Sequence, residues 1–372
     1  MGTETVLEVK HASVDYESAA GTVHAVNDVS FSLLRGQILG LAGESGSGKS
    51  TLAYAIARLL RPPAVVTGGQ ILYCPRPGLE DKNEDDSSLP IDLLDLTPEE
   101  LRNFRWRKLS IVFQSAMNAL NPVLDIGAQI IDVLQAHHPS MTRKEQKARA
   151  VELLRLVGIA PDRLHSYPHE LSGGMRQRAI IAIALALNPE IIILDEPTTA
   201  LDVVVQREIL NELMALRQKF GFSVIFITHD LSLLLEVADQ VAIMYAGRIV
   251  ETATHEQLYR QPAHPYTYGL LHSFPSLHGP RREMLGIPGS PPDLRAMPPG
   301  CAFHPRCPFA FGACQTAVPS LLTPSREAPE QQVACHLYDA RLNPDGVPSQ
   351  LRAAPAEQKD TSTLALHQKE ER

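Results

Sequence analysis

From Val6 to about Val250, short β-branched apolar runs alternate with longer segments whose apolar positions recur at helical spacing. That alternation predicts an α/β domain built on a largely parallel sheet. The apolar runs predict strands over Gln37–Ala42, Leu109–Gln114, Glu190–Leu194, Ser223–Thr228 and Gln240–Tyr245. Helices fit Lys49–Leu60, Arg143–Val157, Gly174–Leu187 and Gln206–Phe220. In the last, Ile209, Leu213 and Leu216 share a face beside Leu210 and Met214, and Gly221 follows where a helix end favours glycine. Cys74–Pro90 is proline-rich, acidic and aperiodic, the pattern of a solvated loop. The stretch from Ile91 to about Leu171 carries helical patterning and reads as a subdomain inserted between strands. After Glu251 prolines multiply and regular structure should thin, and Asn343–Arg372 is polar enough to predict a disordered tail.

Composition narrows the function classes. The 372 residues are 44% hydrophobic and 20% charged, ordinary globular values that exclude wholesale disorder. A formal net charge of -8 argues against binding nucleic acid or an anionic membrane through bulk electrostatics. The longest apolar runs fall short of the roughly 20 residues of a membrane-spanning helix, and the N-terminus has no signal-peptide core, which points to the cytoplasm. Of 29 prolines, 17 follow residue 260, and four of five cysteines lie between Cys301 and Cys335.

Gly43-Glu44-Ser45-Gly46-Ser47-Gly48-Lys49-Ser50-Thr51 matches G-x-x-x-x-G-K-[ST] between a predicted strand and a predicted helix. Such a loop turns backbone N–H groups inward as an anion nest at a helix N-terminus. Lys49 would reach the β and γ phosphates of a nucleotide, and the Ser50 hydroxyl would bind Mg2+. Ile191-Ile192-Ile193-Leu194-Asp195-Glu196 is an apolar run ending in two carboxylates, as a buried parallel strand delivering them to the ligand end of the sheet would read. Asp195 would hold Mg2+ through water, and Glu196 would polarise the water attacking the γ-phosphate.

Leu171-Ser172-Gly173-Gly174-Met175-Arg176-Gln177-Arg178 resembles the signature motif of ABC transporter ATPases, standing before the Asp195–Glu196 strand as in that family. Ser172 is a plausible N-cap, with Gly173 and Gly174 exposing N–H groups as a second anion site. The resemblance implies that Ser172, Gly173 and Gly174 contact ATP held by a partner cassette, so that two cassettes enclose two ATP molecules. It further implies a Q-loop role for Gln114 at Mg2+, a D-loop at Thr199-Ala200-Leu201-Asp202, a switch role for His229 at the γ-phosphate, and stacking of Tyr16 on adenine. The fold it implies is a P-loop NTPase cassette at 1–250: a RecA-like core, an antiparallel β subdomain and an inserted α-helical subdomain at 91–175. A proline- and cysteine-rich extension would occupy 251–340, and a tail 341–372.

His264-Pro265-Tyr266-Thr267 and the cysteines beyond it resemble the C-terminal extension of ATPases in dipeptide and oligopeptide importers, a subfamily that includes nickel importers; the likeness is to its "D" type subunit. Cys301, Cys307, Cys314 and Cys335, spaced C-x5-C-x6-C-x20-C, suggest a metal site rather than disulfides in a cytosolic chain. Four thiolates suit a [4Fe-4S] cluster, which related importer ATPases are similar in carrying; zinc, with His304 or His336 as a ligand, and no metal at all are the alternatives. The resemblance thus implies an ATPase on the cytoplasmic face of the cell membrane that drives peptide import. Its partners would be a paralogous ATPase, two permeases and an external peptide-binding protein, with no nucleic acid. Nickel import by the same machinery, and a soluble non-transport ABC ATPase, are the rival readings.

Overall fold

The computed structural model describes residues 4–19, 21–76, 89–114, 119–198, 201–273, 286–326 and 328–352. Two sheets organise it. The strands β1 (Thr5–Ser18), β2 (Gly21–Leu34), β4 (Ala64–Tyr73) and β5 (Ile91–Asp92) form an antiparallel sheet in the order β2-β1-β4-β5. A second sheet runs β11-β10-β9-β3-β8-β7-β6, built from β3 (Ile38–Ala42), β6 (Leu109–Val112), β7 (Ile191–Asp195), β8 (Ser223–Ile227), β9 (Gln240–Tyr245), β10 (Arg248–Thr254) and β11 (Gln332–Val333). From β9 to β6 its strands are parallel, and β10 and β11 continue it antiparallel.

The parallel strands read as continuous apolar runs because both faces are covered. Along β7, Ile192 and Leu194 enter a core with the helices 126–137, 143–156, 173–184 and 203–220, while Ile191 and Ile193 enter another with β1, β2, β4 and the helix Lys49–Ile56. Alternation at period two therefore divides one strand between two cores.

Helix ends differ from the sequence reading for local reasons. The helix expected over Lys49–Leu60 ends at Ile56, because Arg58 adopts a left-handed φ of 55° and its guanidinium turns to the Leu93 and Leu94 carbonyls. The helix expected to reach Leu187 ends at Ala184, before Asn188 at φ 52°. In the stretch expected as a helical insertion, β5, the helix Pro98–Phe104 and β6 precede the helices Ile126–His137 and Arg143–Leu156, and β6 belongs to the main sheet. Residues 77–88 of the expected acidic loop and 353–372 of the expected tail lie outside the described residues.

Beyond β10 regular structure is sparse but folds back onto the main sheet. Helices His255–Arg260 and Pro265–His272 follow, and β11 extends the sheet with Glu251 opposite Val333. Glu251 is fully buried and accepts the N–H groups of Ala263 and His264, each at 2.8 Å, and Nε2 of Gln331 at 2.9 Å. One carboxylate thereby satisfies three donors from two returning segments.

Candidate nucleotide site

The phosphate loop turns between β3 and the helix Lys49–Ile56, and its glycines are dictated by crowding. Gly43 and Gly48 have φ of 146° and 101°, and a Cβ on either would collide with a backbone carbonyl oxygen, of Met244 or Ala25 respectively. Gly46, at φ 78°, faces open space beside the exposed Ser45, so here backbone conformation alone favours glycine. The Lys49 side chain arches back over the loop, its Nζ donating to the carbonyls of Gly43 at 2.8 Å and Glu44 at 2.9 Å and to Ser47 Oγ at 3.2 Å. Burial lowers the Lys49 ammonium from its usual range, opposed by the charges of Glu196, Asp195 and Glu44.

Asp195 ends β7 fully buried, and its Oδ1 accepts the Ser50 hydroxyl at 3.0 Å. Its Oδ2 has no hydrogen-bond partner among the described residues. Burial raises the Asp195 carboxyl, opposed by hydrogen bonding from Ser50 and Tyr54 and by the Lys49 charge, with the Glu196 charge adding to the rise. Burial, then the nearby charge of Asp195, pushes the Tyr54 hydroxyl up to about 12. An orphaned carboxylate oxygen beside a serine hydroxyl is the donor set a hard divalent cation takes, so these residues fit Mg2+.

Glu196 follows immediately with φ 47°, a strained value for a non-glycine residue, held by its N–H bond to the Ile227 carbonyl at 2.8 Å. The turn aims its carboxylate between two side chains from other strand ends. Gln114 Nε2 donates to Oε2 at 2.7 Å, and His229 Nδ1 stands 3.2 Å from Oε1. The structure thus unites Lys49, Ser50, Asp195, Glu196, Gln114 and His229 from four separate segments.

Tyr16, on β1, places its hydroxyl 3.2 Å from Thr51 Oγ1, at the start of the loop's helix. Ser172 is the exposed N-cap of the helix Gly173–Ala184, its Oγ accepting the Met175 N–H at 3.3 Å. Gly174 packs so tightly that a Cβ would stand 2.7 Å from Val205 Cγ1. Of the expected D-loop, Thr199 and Ala200 lie outside the described residues, while Asp202 caps the helix Val203–Phe220 through the N–H groups of Val204 and Val205.

Two residues outside the nucleotide motifs also hold the loop. Arg306 grips the Glu44 carboxylate with both terminal nitrogens, Nη1 to Oε2 at 2.7 Å and Nη2 to Oε1 at 3.0 Å. The Glu44 N–H donates to the Tyr266 hydroxyl at 2.8 Å. The only sequence signal near them was the His264-Pro265-Tyr266-Thr267 run; nothing marked Arg306.

The cysteine expectation is not supported. Cys301, Cys307, Cys314 and Cys335 share one neighbourhood, with the Cys301 N–H bonded to the Cys314 carbonyl at 2.8 Å and the four thiols within electrostatic reach of one another. Yet among the described residues no group of three or more His, Cys, Asp or Glu side chains is arranged to hold a metal ion. Backbone N–H groups of Phe303 and His304, of Phe309 and of Leu337 favour the thiolates of Cys301, Cys307 and Cys335 respectively, but burial outweighs them. Burial pushes the Cys307 thiol up to about 12 and raises Cys301 and Cys335. His304 and His336, the alternative zinc ligands, bond the carbonyls of Cys301 and Ala317. The arrangement does not support the expected [4Fe-4S] ligation, nor the zinc alternative.

Comparison with known proteins agrees with the nucleotide site. Residues 26–199 match the family model described as ABC transporter, and residues 250–314 that described as oligopeptide/dipeptide transporter, C-terminal region. The chain is 45% identical over 310 residues to the oligopeptide transport ATP-binding protein OppD of Bacillus subtilis, covering 82% of each chain. It is 43% identical over 342 residues to the dipeptide transport ATP-binding protein DppD of the same organism, covering 91% of this chain and 96% of that one. Among solved structures, a dimeric ATP-binding cassette in a post-hydrolysis state with ADP and Pi is similar with a TM-score of 0.56 at 28% identity, over 67% of this chain and 98% of that one. The cassette cbiO1 from Clostridium perfringens gives the same TM-score at 26% identity, over 69% and 91% of the two chains. With the loop, the paired carboxylates and the C-terminal region all accounted for, this chain belongs to the family of ABC transporter ATP-binding proteins, and it is an ATPase.

Proposed function

We propose that the chain is the ATP-hydrolysing subunit of an importer for dipeptides and oligopeptides, docked on the cytoplasmic face of the cell membrane. No helix among the described residues is long and apolar enough to cross a membrane. In this reading the translocation path belongs to partner chains. Those partners are two permeases, a second and paralogous ATPase, and an external peptide-binding protein. The C-terminal region that this chain shares with peptide-transport ATPases supports the substrate class.

The observation that carries the reading is the carboxylate of Glu196 held between Gln114 and His229, next to Asp195 and Ser50. Bound Mg-ATP supplies a γ-phosphate whose transfer to water releases the free energy for transport. Residues 43–51 cradle the phosphates with backbone N–H groups and Lys49, and Ser50, Asp195 and Gln114 hold the cation. Glu196 takes the proton of the attacking water, while His229 fixes one carboxylate oxygen and contacts the γ-phosphate. Tyr16 faces the adenine. Ser172, Gly173 and Gly174, at an exposed helix N-terminus, contact the nucleotide of the partner subunit. The cysteine group forms no part of this mechanism.

Uptake in a deletion strain, across a panel of dipeptides, longer peptides and nickel, tests the assignment. Loss of peptide uptake with nickel uptake intact is expected. Loss of nickel uptake alone would redirect the reading to the nickel branch, and no uptake defect at all would favour a soluble ATPase.

A further inference from the structure

We propose that Arg306 and Tyr266 are positioning residues of the ATP site, through which the C-terminal region braces the phosphate loop at Glu44. The inference rests on the ATPase reading and extends it to residues outside the nucleotide motifs.

Every polar group of Glu44 is committed. Its carboxylate takes the bidentate Arg306 fork and its N–H meets the Tyr266 hydroxyl, while its carbonyl accepts Lys49 Nζ at 2.9 Å. Two of its four anchors come from the C-terminal region; the other two, both on the carbonyl, are the Ser47 N–H at 3.2 Å and the lysine that would meet the phosphates. A displacement of Tyr266 or Arg306 is therefore transmitted through one residue to Lys49.

The gripping side chains are themselves held in place. Arg306 is buried, donates Nε to the Pro288 carbonyl at 2.8 Å and Nη1 to the Tyr245 hydroxyl at 3.3 Å, and lies over the Tyr245 and Phe303 rings at 5.8 and 5.9 Å. Tyr245, Tyr266 and Phe303 pack with ring centroids 4.6 to 5.4 Å apart. Tyr245 ends β9, next to the sheet strand that leads into the loop. A planar guanidinium held at its stem and stacked on its face cannot follow Glu44 freely, so it fixes the carboxylate rather than trailing it. A brace of this kind lets events in the C-terminal region alter nucleotide affinity without touching the nucleotide.

The test compares the full-length wild type with Arg306→Gln, Arg306→Lys, Tyr266→Phe, Glu44→Gln and the Glu44→Gln/Arg306→Gln pair. ATPase kinetics are measured in each, together with affinity for the non-hydrolysable analogue AMP-PNP by calorimetry. Arg306→Gln should raise KM and weaken analogue binding roughly five- to tenfold, the scale of an ordinary intersite coupling. Tyr266→Phe should do so by a smaller factor, kcat should change little, and Arg306→Lys should recover part of the loss. In the Glu44→Gln background, Arg306→Gln should add less than about twofold, because its route to the site is already cut. Unchanged KM in both Arg306→Gln and Tyr266→Phe, or an equal effect of Arg306→Gln in both backgrounds, would overturn the brace. If Arg306→Gln does not fold, Tyr266→Phe and Glu44→Gln decide alone. A wild type that hydrolyses no Mg-ATP would instead refute the ATPase reading, a distinct failure.

Discussion

Replacing Glu196 by glutamine is the sharpest perturbation of the proposed chemistry. The amide keeps the volume of the side chain and leaves one oxygen to accept Gln114 Nε2, now at 2.7 Å from Oε2, so the site should stay assembled. The backbone turn at φ 47° is anchored by the Glu196 N–H and the Ile227 carbonyl, which the substitution does not touch. What disappears is the capacity to accept a proton. General-base contributions run to about 10²–10⁴-fold, or about 3–5 kcal/mol of transition-state stabilisation. Single-turnover phosphate release from Glu196→Gln should therefore fall by at least about 100-fold, while ATP affinity stays within about threefold, because binding groups are retained. Adding His229→Ala to that variant should cost little more, since the two residues act on the same proton transfer. A fall of less than tenfold would refute the assignment of Glu196 as base.

Two further predictions concern the C-terminal region. Glu251→Ala would strand three buried donors, at about 1–3 kcal/mol each; denaturant unfolding should show a loss of at least about 3 kcal/mol, and a loss below about 1 kcal/mol would contradict the docking role of that carboxylate. His264 is fully buried and desolvation lowers it to about 3, so the unfolded chain binds a proton below about 6.5 that the folded chain refuses. Stability should therefore fall as pH drops from 6.5 toward 3, by up to about 1.4 kcal/mol per pH unit from this group. His264→Asn, which can still cap the helix Pro265–His272, should flatten that slope by one proton; an unchanged slope would rule the histidine out as its source.

Much of the nucleotide site was legible because it is local. The loop's glycines, its lysine and the flanking strand and helix are consecutive, and the β7 run announces a strand covered on both faces. The motif order then carried Gln114 and His229, which the fold brings to Glu196. The sequence was silent on partnership between distant segments. Arg306 lies 262 residues from Glu44, and a single arginine among prolines and cysteines carries no period or motif. Glu251 is likewise buried only because β11 and Gln331, some 80 residues on, return to it. The cysteines are a related case: spacing along the chain gave their proximity, but the described residues show no arrangement of them around a metal. The stops at Ile56 and Ala184 were hidden too, since left-handed turns at Arg58 and Asn188 need no glycine when other contacts secure them.

The central claim is that hydrolysis at this site drives peptide across the membrane. Its most direct test is accumulation of a labelled peptide in proteoliposomes holding the complete transporter, with Mg-ATP supplied on the side of this chain and the binding protein on the other. Accumulation should require Mg-ATP and vanish when this chain carries Glu196→Gln. Accumulation without ATP, or at wild-type rate with the substituted chain, would contradict the account.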